Sequence, residues 1–468
     1  MKKNIIKTVV AVMCFATFSS CNIDDVKPFN QLTSENVVRD EVSAQAVLNG
    51  VYSGWKVLEL NAFPLHLEAL GAVGNFTGVV NGSAGFNANQ VLPENAYISN
   101  LYNAHYKIIN GSNFLIQELE AGKAVGISES SKSEMIAQAK FHRAMAYFNL
   151  LRYFGEYFDA NSQYGVVLRT NFANGLEYSP RSSVAATYSL ILSDLDYAIN
   201  NGPTNVEHYY VGQVAATALL ARVQLYRGEY ADAETLAGIV IDNAEGYELE
   251  GSYASIFSNG YNSSETIFAI YNDIPPSGGS GMYQVSRTKY SNAFQNIADA
   301  QVEGEGSLSG TGSGFDPRFS FAYSDATKGI NLNGKYPANE NAATSTRSTL
   351  YYIRLAEMYL IRAEATARSN GDLEAALADV NTLRLRAGVE EKQLTDKATL
   401  LNDIRQEKML EMFYENGESW FDLIRYHKAG DLNAFEQKSS LTNTKQFILP
   451  IGISVLTGNN LMVQNPGY

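Results

Sequence analysis

The stretch YYIRLAEMYLIRAEATARSNGDLEAALADVNTLRLRAG, residues 351–388, decides the fold class. Tyr352, Leu355, Tyr359 and Ala363 recur at a helical interval and share one face, which predicts a first helix. Asn370, Gly371 and Asp372 interrupt the pattern with turn residues, and Asp372 is placed to accept hydrogen bonds from the exposed amides of the segment that follows. A second apolar stripe, Leu373, Ala376, Leu377, Val380 and Leu383, predicts the returning helix, and Gly388 supplies a left-handed stop. Small alanines near the turn let the two helices approach closely. Such a hairpin has two apolar faces and cannot bury both alone, so further hairpins must stack on it.

A second copy lies upstream. Gly228, Tyr230, Ala233 and Ala237 stand at the same mutual offsets as Gly371, Leu373, Ala376 and Val380. Before the turn the register slips by about two residues, because Leu219 is closer to Gly228 than Leu360 is to Gly371. The pattern resembles an irregular tetratricopeptide repeat. The fold class expected is therefore mostly α, with helical hairpins forming a scaffold, long loops covering it and little strand.

Other helices are expected at about 42–60 with Trp55 in the core, from Leu101 through Leu119, over 132–153 ending at Gly155, after Ser182 or Ser183 as far as Gly202-Pro203, and over 400–426. Two regions lack helical period, about 61–100 and 272–349. Both are rich in Gly and Asn or Ser, yet they carry too many Tyr and Phe for mere linkers.

The 468 residues are 45% hydrophobic and 18% charged, which suits a large folded chain with a sizeable core. Residues 1–20 read as an export signal: Lys2, Lys3 and Lys7 precede an apolar run too short to span a bilayer. Ser19-Ser20-Cys21 resembles a bacterial lipobox, with Phe18 in place of the usual Leu. Cys21 is the expected lipidation site, and residues 21–40 the lipidated cysteine and a flexible tether. Cys14 leaves with the signal, so no disulfide is expected in the mature chain. Losing three lysines takes the formal charge from −14 to −17, which disfavours nucleic acid as a partner because phosphates require Lys and Arg, and none is expected.

Blocks in one order carry a wider resemblance: AKFHRAMAYFNLLRYFG from Ala139, RSSVAATYSLILSDLDYAI from Arg181, ATALLARVQLYRGEYADAE from Ala216, SYASIF from Ser252, SSETIFAIY from Ser263, FDPRF from Phe315, YYIRLAEMYLIRAEA from Tyr351, IRQEKMLEMFYENGESWFDLIR from Ile404 and QNPGY from Gln464. With the lipobox, they resemble the SusD/RagB family of outer-membrane nutrient-binding lipoproteins over almost the whole length. Lys408 stands where the family usually has Arg, and PIGISV departs at Gly452 and Val455 from the family's PIP-x-x-E. Both are expected to be drift in the scaffold. The resemblance implies one domain over 41–468, anchored in the outer membrane facing the cell exterior. It implies a non-enzymatic protein that captures a glycan, or sometimes a peptide, and delivers it to a SusC-type TonB-dependent transporter. A surface scaffold that binds another protein is the alternative of a different class.

Sugar rings present C–H faces ringed by hydroxyls, so a binder needs aromatic surfaces with amides or charged groups at their edges. From the first irregular region Asn75, Phe76 and Phe86 are the candidates, with Tyr102 just beyond it, four residues before the Tyr106 of the family's Y-x-x-I-x-x-x-N signature (Ile109, Asn113). From the second, Tyr283, Tyr290 and Phe294 are chosen. No catalytic residue, cofactor or metal is expected. Glu303 with Glu305 or Asp316 offers carboxylates without a fixed separation. Asp316 and Arg318 read instead as bracing a loop, and His66, His105, His142, His208 and His427 form no recognisable constellation. The runs GGSG and GTGSG lack the strand and helix that a phosphate loop requires.

Overall fold

The computed structural model describes residues 36–78, 80, 82–243, 245–270, 287–299, 315–331, 334–336 and 349–468. The signal, Cys21, most of the tether, Tyr283, Glu303 and Glu305 lie outside the described residues. Helix α1 spans Glu41–Ser53, α2 Phe63–Leu70, α3 Ala96–Glu120, α4 Glu129–Phe154, α5 Val184–Asn201, α6 Gln213–Arg227 and α7 Tyr230–Ile241. Then follow α8 Tyr253–Asn259, α9 Asn292–Asp299, α10 Pro317–Phe321, α11 Leu355–Arg368, α12 Leu373–Ala387, α13 Lys397–Met412, α14 Glu418–Ala429 and α15 Ile453–Gly458. The strands are β1 Gly74–Phe76, β2 Thr266–Ile270, β3 Thr288–Tyr290, β4 Ser324–Asp325, β5 Ile330–Asn331 and β6 Leu350–Arg354. The mostly helical class is what the sequence led us to expect.

Local chemistry sets most helix ends. The side chains of Asp40, Asn95, Ser128, Ser183, Asp372 and Asp396 each accept a hydrogen bond from a first-turn amide, a device worth about 1 kcal/mol per helix. Gly228 and Gly388 close α6 and α12 at φ +78° and +75°. In the central hairpin the left-handed turn residue is Asn370, at φ 60°, and not Gly371.

The α6/α7 and α11/α12 hairpins are adjacent in space, because α7 packs on α11. On the other side α3, α4 and α5 stack in sequence against α6, and α13 and α14 extend the pile beyond α11 and α12. Each hairpin thus covers the face its neighbour leaves bare.

Buried ion pairs stitch the stack. Arg143 grips Asp194 through two 2.7 Å bonds and reaches Asn113, joining α4, α5 and α3. Arg152 bonds Glu418 at 2.7 Å, and Arg425 chelates Glu364 at 2.9 and 2.8 Å. Arg318, at the start of α10, does brace its loop through Asp316, and it also crosses to Glu407 and Glu411 on α13.

Four boundaries differ from expectation. Residues 350–354 form β6, which pairs antiparallel with β2, so Tyr352 lies on a strand and α11 begins at Leu355. The first irregular region contains α2, started by Pro64 in the first turn, where its missing N–H costs nothing, and the second contains α9 and α10, the latter opened by Pro317 after the Asp316 cap. The helix expected at 42–60 stops at Ser53 and continues as a short 3-10 turn that buries Trp55. The long helix expected at 400–426 is two, α13 and α14, because Tyr414 and Gly417 both take positive φ between them.

Candidate functional site

The two irregular regions meet. Strands β1, β3, β4 and β5 form one antiparallel sheet, with Gly74 opposite Tyr290, Asn75 opposite Lys289 and Phe76 opposite Thr288. Lys289 then faces Asp325 on β4. A side chain at position 74 would collide with the Tyr414 hydroxyl, so glycine lets β1 lie flat on the α13–α14 corner. Asn87 clamps the edge of β1: its side-chain oxygen accepts from Phe76 N–H and its amide donates to Phe76 O, both at 2.9 Å. Ser291 N–H donates to Val73 O at 2.9 Å, and Thr77 N–H to Arg287 O at 3.0 Å.

Strand alternation decides which side chains face outward. Asn75 and Lys289 point to the open side, while Phe76 and Tyr290 point inward and are 9% and 2% exposed. Tyr290 donates its hydroxyl to Ala322 O at 2.6 Å, and its ring packs with Phe294, Phe319, Phe413 and Tyr414. Phe294 is fully enclosed in that cluster, and Phe86 is equally enclosed against His66 and Phe63. Four of the chosen rings therefore build the support beneath the sheet and turn no face to solvent. For Phe76 and Tyr290 the period of two within a three-residue strand is the reason, while Phe294 is on the buried face of α9 and Phe86 is in a turn packed on α2.

Asn75 lines a hollow of about 290 Å³ with Asn87, Ser291, Gln437, Lys438 and Ser440. Its chemistry is amide, hydroxyl and ammonium. Lys438 donates to the carbonyls of Ala69 and Gly71 at the end of α2, where burial lowers its pKa to about 8. Ser440 donates to Asn89 at 2.6 Å and ties the 437–440 segment to the first loop. Asn87, Lys438 and Ser440 went unselected in the sequence. Asn87 was recognisable only as an Asn in a glycine-rich loop, and the 437–440 segment bears no aromatic signal.

Tyr102 lies elsewhere. Its ring, 5% exposed, tilts at 31° against Tyr106 with centroids 4.7 Å apart, and the two hydroxyls are 3.2 Å apart. Burial raises the Tyr102 hydroxyl to about 12. Together with Asn103, Arg169, Glu177 and Asn459, the pair lines a groove of about 310 Å³ that shares no residue with the Asn75 hollow. Of the seven selected positions, then, Asn75 and Tyr102 reach surface concavities, and these are two different ones. Tyr283 lies outside the described residues.

His105 and His142 are buried and held neutral, with burial pushing them down to about 4 and about 3. His142 Nδ1 accepts from the Trp55 indole at 3.1 Å, a core contact. Among the described residues no three His, Cys, Asp or Glu side chains converge as a metal-binding group.

Comparison with known proteins gives a consistent picture. Residues 252–468 match the SusD family, and residues 25–225 match a family described as starch-binding and associating with the outer membrane. A SusD-like protein P2 of Formosa agariphila is 26% identical, with both chains covered in full. The starch-binding protein SusD of Bacteroides thetaiotaomicron is 33% identical over 27% of this chain and 23% of that one. Among solved structures, a SusD superfamily protein of Bacteroides thetaiotaomicron superimposes with a TM-score of 0.75 at 24% identity, covering 91% of this chain and all of that one. A laminarin-binding SusD-like protein gives 0.69 at 24% identity, covering 92% of this chain and 100% of that one. At these identities the structures establish the shared fold.

Proposed function

We propose, for a chain that belongs to the SusD/RagB family, that the protein is a non-enzymatic surface lipoprotein that binds an oligosaccharide or polysaccharide and hands it to a SusC-type TonB-dependent transporter. One observation carries the reading. Two irregular regions more than 200 residues apart are zipped into one sheet, and its outward side opens into a hollow edged by Asn75, Asn87, Ser291 and Ser440. The amides of Asn75 and Asn87, with the remaining acceptor lone pairs of Ser291 and Ser440, match the vicinal hydroxyls of a sugar, which both donate and accept. Tyr283, outside the described residues, stays proposed as a ligand-binding residue on its sequence alone. The groove at Tyr102 is assigned to the same ligand class.

The helical stack supplies the frame, and Cys21 supplies the anchor through its acyl chains. The match to a family described as associating with the outer membrane supports that placement. Calorimetry against a panel that includes laminarin and starch tests the reading. Binding by the intact protein, weakened roughly tenfold or more by Asn75→Ala with Asn87→Ala, is expected, a loss of about 1.4 kcal/mol. A folded protein that binds no polysaccharide but takes up peptides, or only a protein partner, overturns it. Delivery is tested by co-purification with a TonB-dependent barrel from the native membrane, and anchoring by loss of membrane attachment in Cys21→Ala.

A further inference from the structure

A trough away from both concavities opens where α1 ends. Asn49, Ser53 and Lys56 form one bank, Tyr209 and Tyr210 the other, and Tyr52 the floor, enclosing about 370 Å³. That volume falls in the range of small-ligand sites, roughly 300–1,000 Å³. Asn49 and Ser53 are one helical turn apart on α1, so both present their polar groups along the same rim. Both are exposed.

The aromatic walls are fixed in place. Tyr52 donates its hydroxyl to Gln138 at 2.7 Å and accepts from Val211 N–H at 2.8 Å, which locks the 209–211 turn against α1. Tyr210 stands edge-on to Tyr52 with centroids 5.4 Å apart, Tyr209 lies 5.0 Å from Tyr210 at 51°, and Tyr261 stands edge-on to Tyr209 at 5.5 Å. Rings at such angles make the sides of a channel and not a closed stack. Among the described residues the lining, which Ile270 completes, carries one charge, Lys56, and no carboxylate. No described carboxylate there neutralises a basic peptide side chain, whereas phenol faces with an amide, hydroxyl and ammonium rim suit a sugar ring.

We infer that this trough is a second carbohydrate subsite, which takes a pyranose ring of a neutral oligosaccharide on a surface apart from the Asn75 hollow. It rests on the reading that the protein binds glycans, yet it engages different residues. The arrangement would give a long polysaccharide two points of attachment, so that holding one raises the local concentration of the chain at the other.

Saturation-transfer NMR and calorimetry with laminarihexaose and maltoheptaose, alongside the polysaccharide panel, test it on the wild type, on Asn75→Ala with Asn87→Ala (the hollow variant), and on Tyr209→Ala and Asn49→Ala with Ser53→Ala, each of the last two made both in the wild type and in the hollow variant. The hollow variant should keep a weak binding step, and adding Tyr209→Ala should lower that step about tenfold. The exposed rim pair, which leaves the core untouched, should lower it in the same direction, and this guards against a Tyr209 effect that is only misfolding. If the hollow variant loses all binding while both trough variants bind like wild type, the trough inference is overturned and the hollow reading stands. If the wild type binds no glycan, both fail together.

Discussion

The Nζ of Lys335 lies 2.7 Å from the carboxylate of Glu415, and both side chains are wholly shielded from water. Lys335 also donates to Phe413 O at 2.6 Å and lies 4.2 Å above the Phe413 ring. Glu415 in turn accepts from Arg354 at 2.8 and 2.9 Å. A short piece of the second irregular region is thereby plugged into the corner between α13 and α14, directly under the sheet that carries the hollow.

Removing that plug should be expensive. Lys335→Met strips a buried carboxylate of one of its two cations, and breaking a buried pair costs about 3–5 kcal/mol. The unfolding free energy obtained from urea titration should fall by that amount, and the glycan binding proposed at the hollow should weaken with it. A change below about 1 kcal/mol would mean that Arg354 alone satisfies Glu415.

Asp194 joins three helices through Arg143. Asp194→Ala leaves the Arg143 guanidinium buried with Asn113 as its remaining acceptor, and should destabilise by about 3–5 kcal/mol. Asp194→Asn keeps an acceptor and should cost less. Equal losses for the two variants would show that the charge, and not the hydrogen bonding, is what counts.

Acid should weaken the fold through histidine. With folded pKa values near 4 and 3 against an ordinary 6.5, His105 and His142 stay neutral in the native state while the unfolded chain takes up protons. Their contribution is complete above pH 6.5 and drains away as pH falls, at up to about 1.4 kcal/mol per unit for each. Glu68 opposes this: burial raises it to about 7, so its contribution is complete below 4.5 and is lost as pH rises through 7. Denaturation between pH 4.5 and 6.5 should therefore show a shallow positive slope, steeper in Glu68→Gln and flatter in His142→Gln, which preserves an acceptor for Trp55.

Two glycines with open space around them should respond in opposite ways. Gly388 has φ +75°, so Gly388→Ala should cost about 1 kcal/mol although nothing lies within 4 Å. Gly238, inside α7 and equally unobstructed, has no such backbone, and Gly238→Ala should stabilise by about 1 kcal/mol. Thermal melts of the pair measure the difference directly.

The scaffold was legible because its signals are local. Asp372, Ser183, Gly202 and Gly388 mark helix ends by chemistry that spans only a few residues; the sequence predicts Asp372, Gly202 and Gly388 and narrows the other to Ser182 or Ser183. The site was less legible, because its facing is set by partners far along the chain. Nothing near Tyr290 reveals that it pairs with Gly74 and must point inward, and an aromatic residue in a loop looks the same whether it supports the surface or forms it. Tyr414 is a similar case. Its left-handed backbone splits one expected helix into two, and tertiary packing imposes that conformation on a residue with no intrinsic taste for it.

The second irregular region is fastened to elements far from it in sequence. Its described pieces hold β1 through β3, Glu407 and Glu411 through Arg318, and Glu415 through Lys335. Being fastened to α13 and the corner after it, they should lose amide-exchange protection together with that helix and not ahead of it.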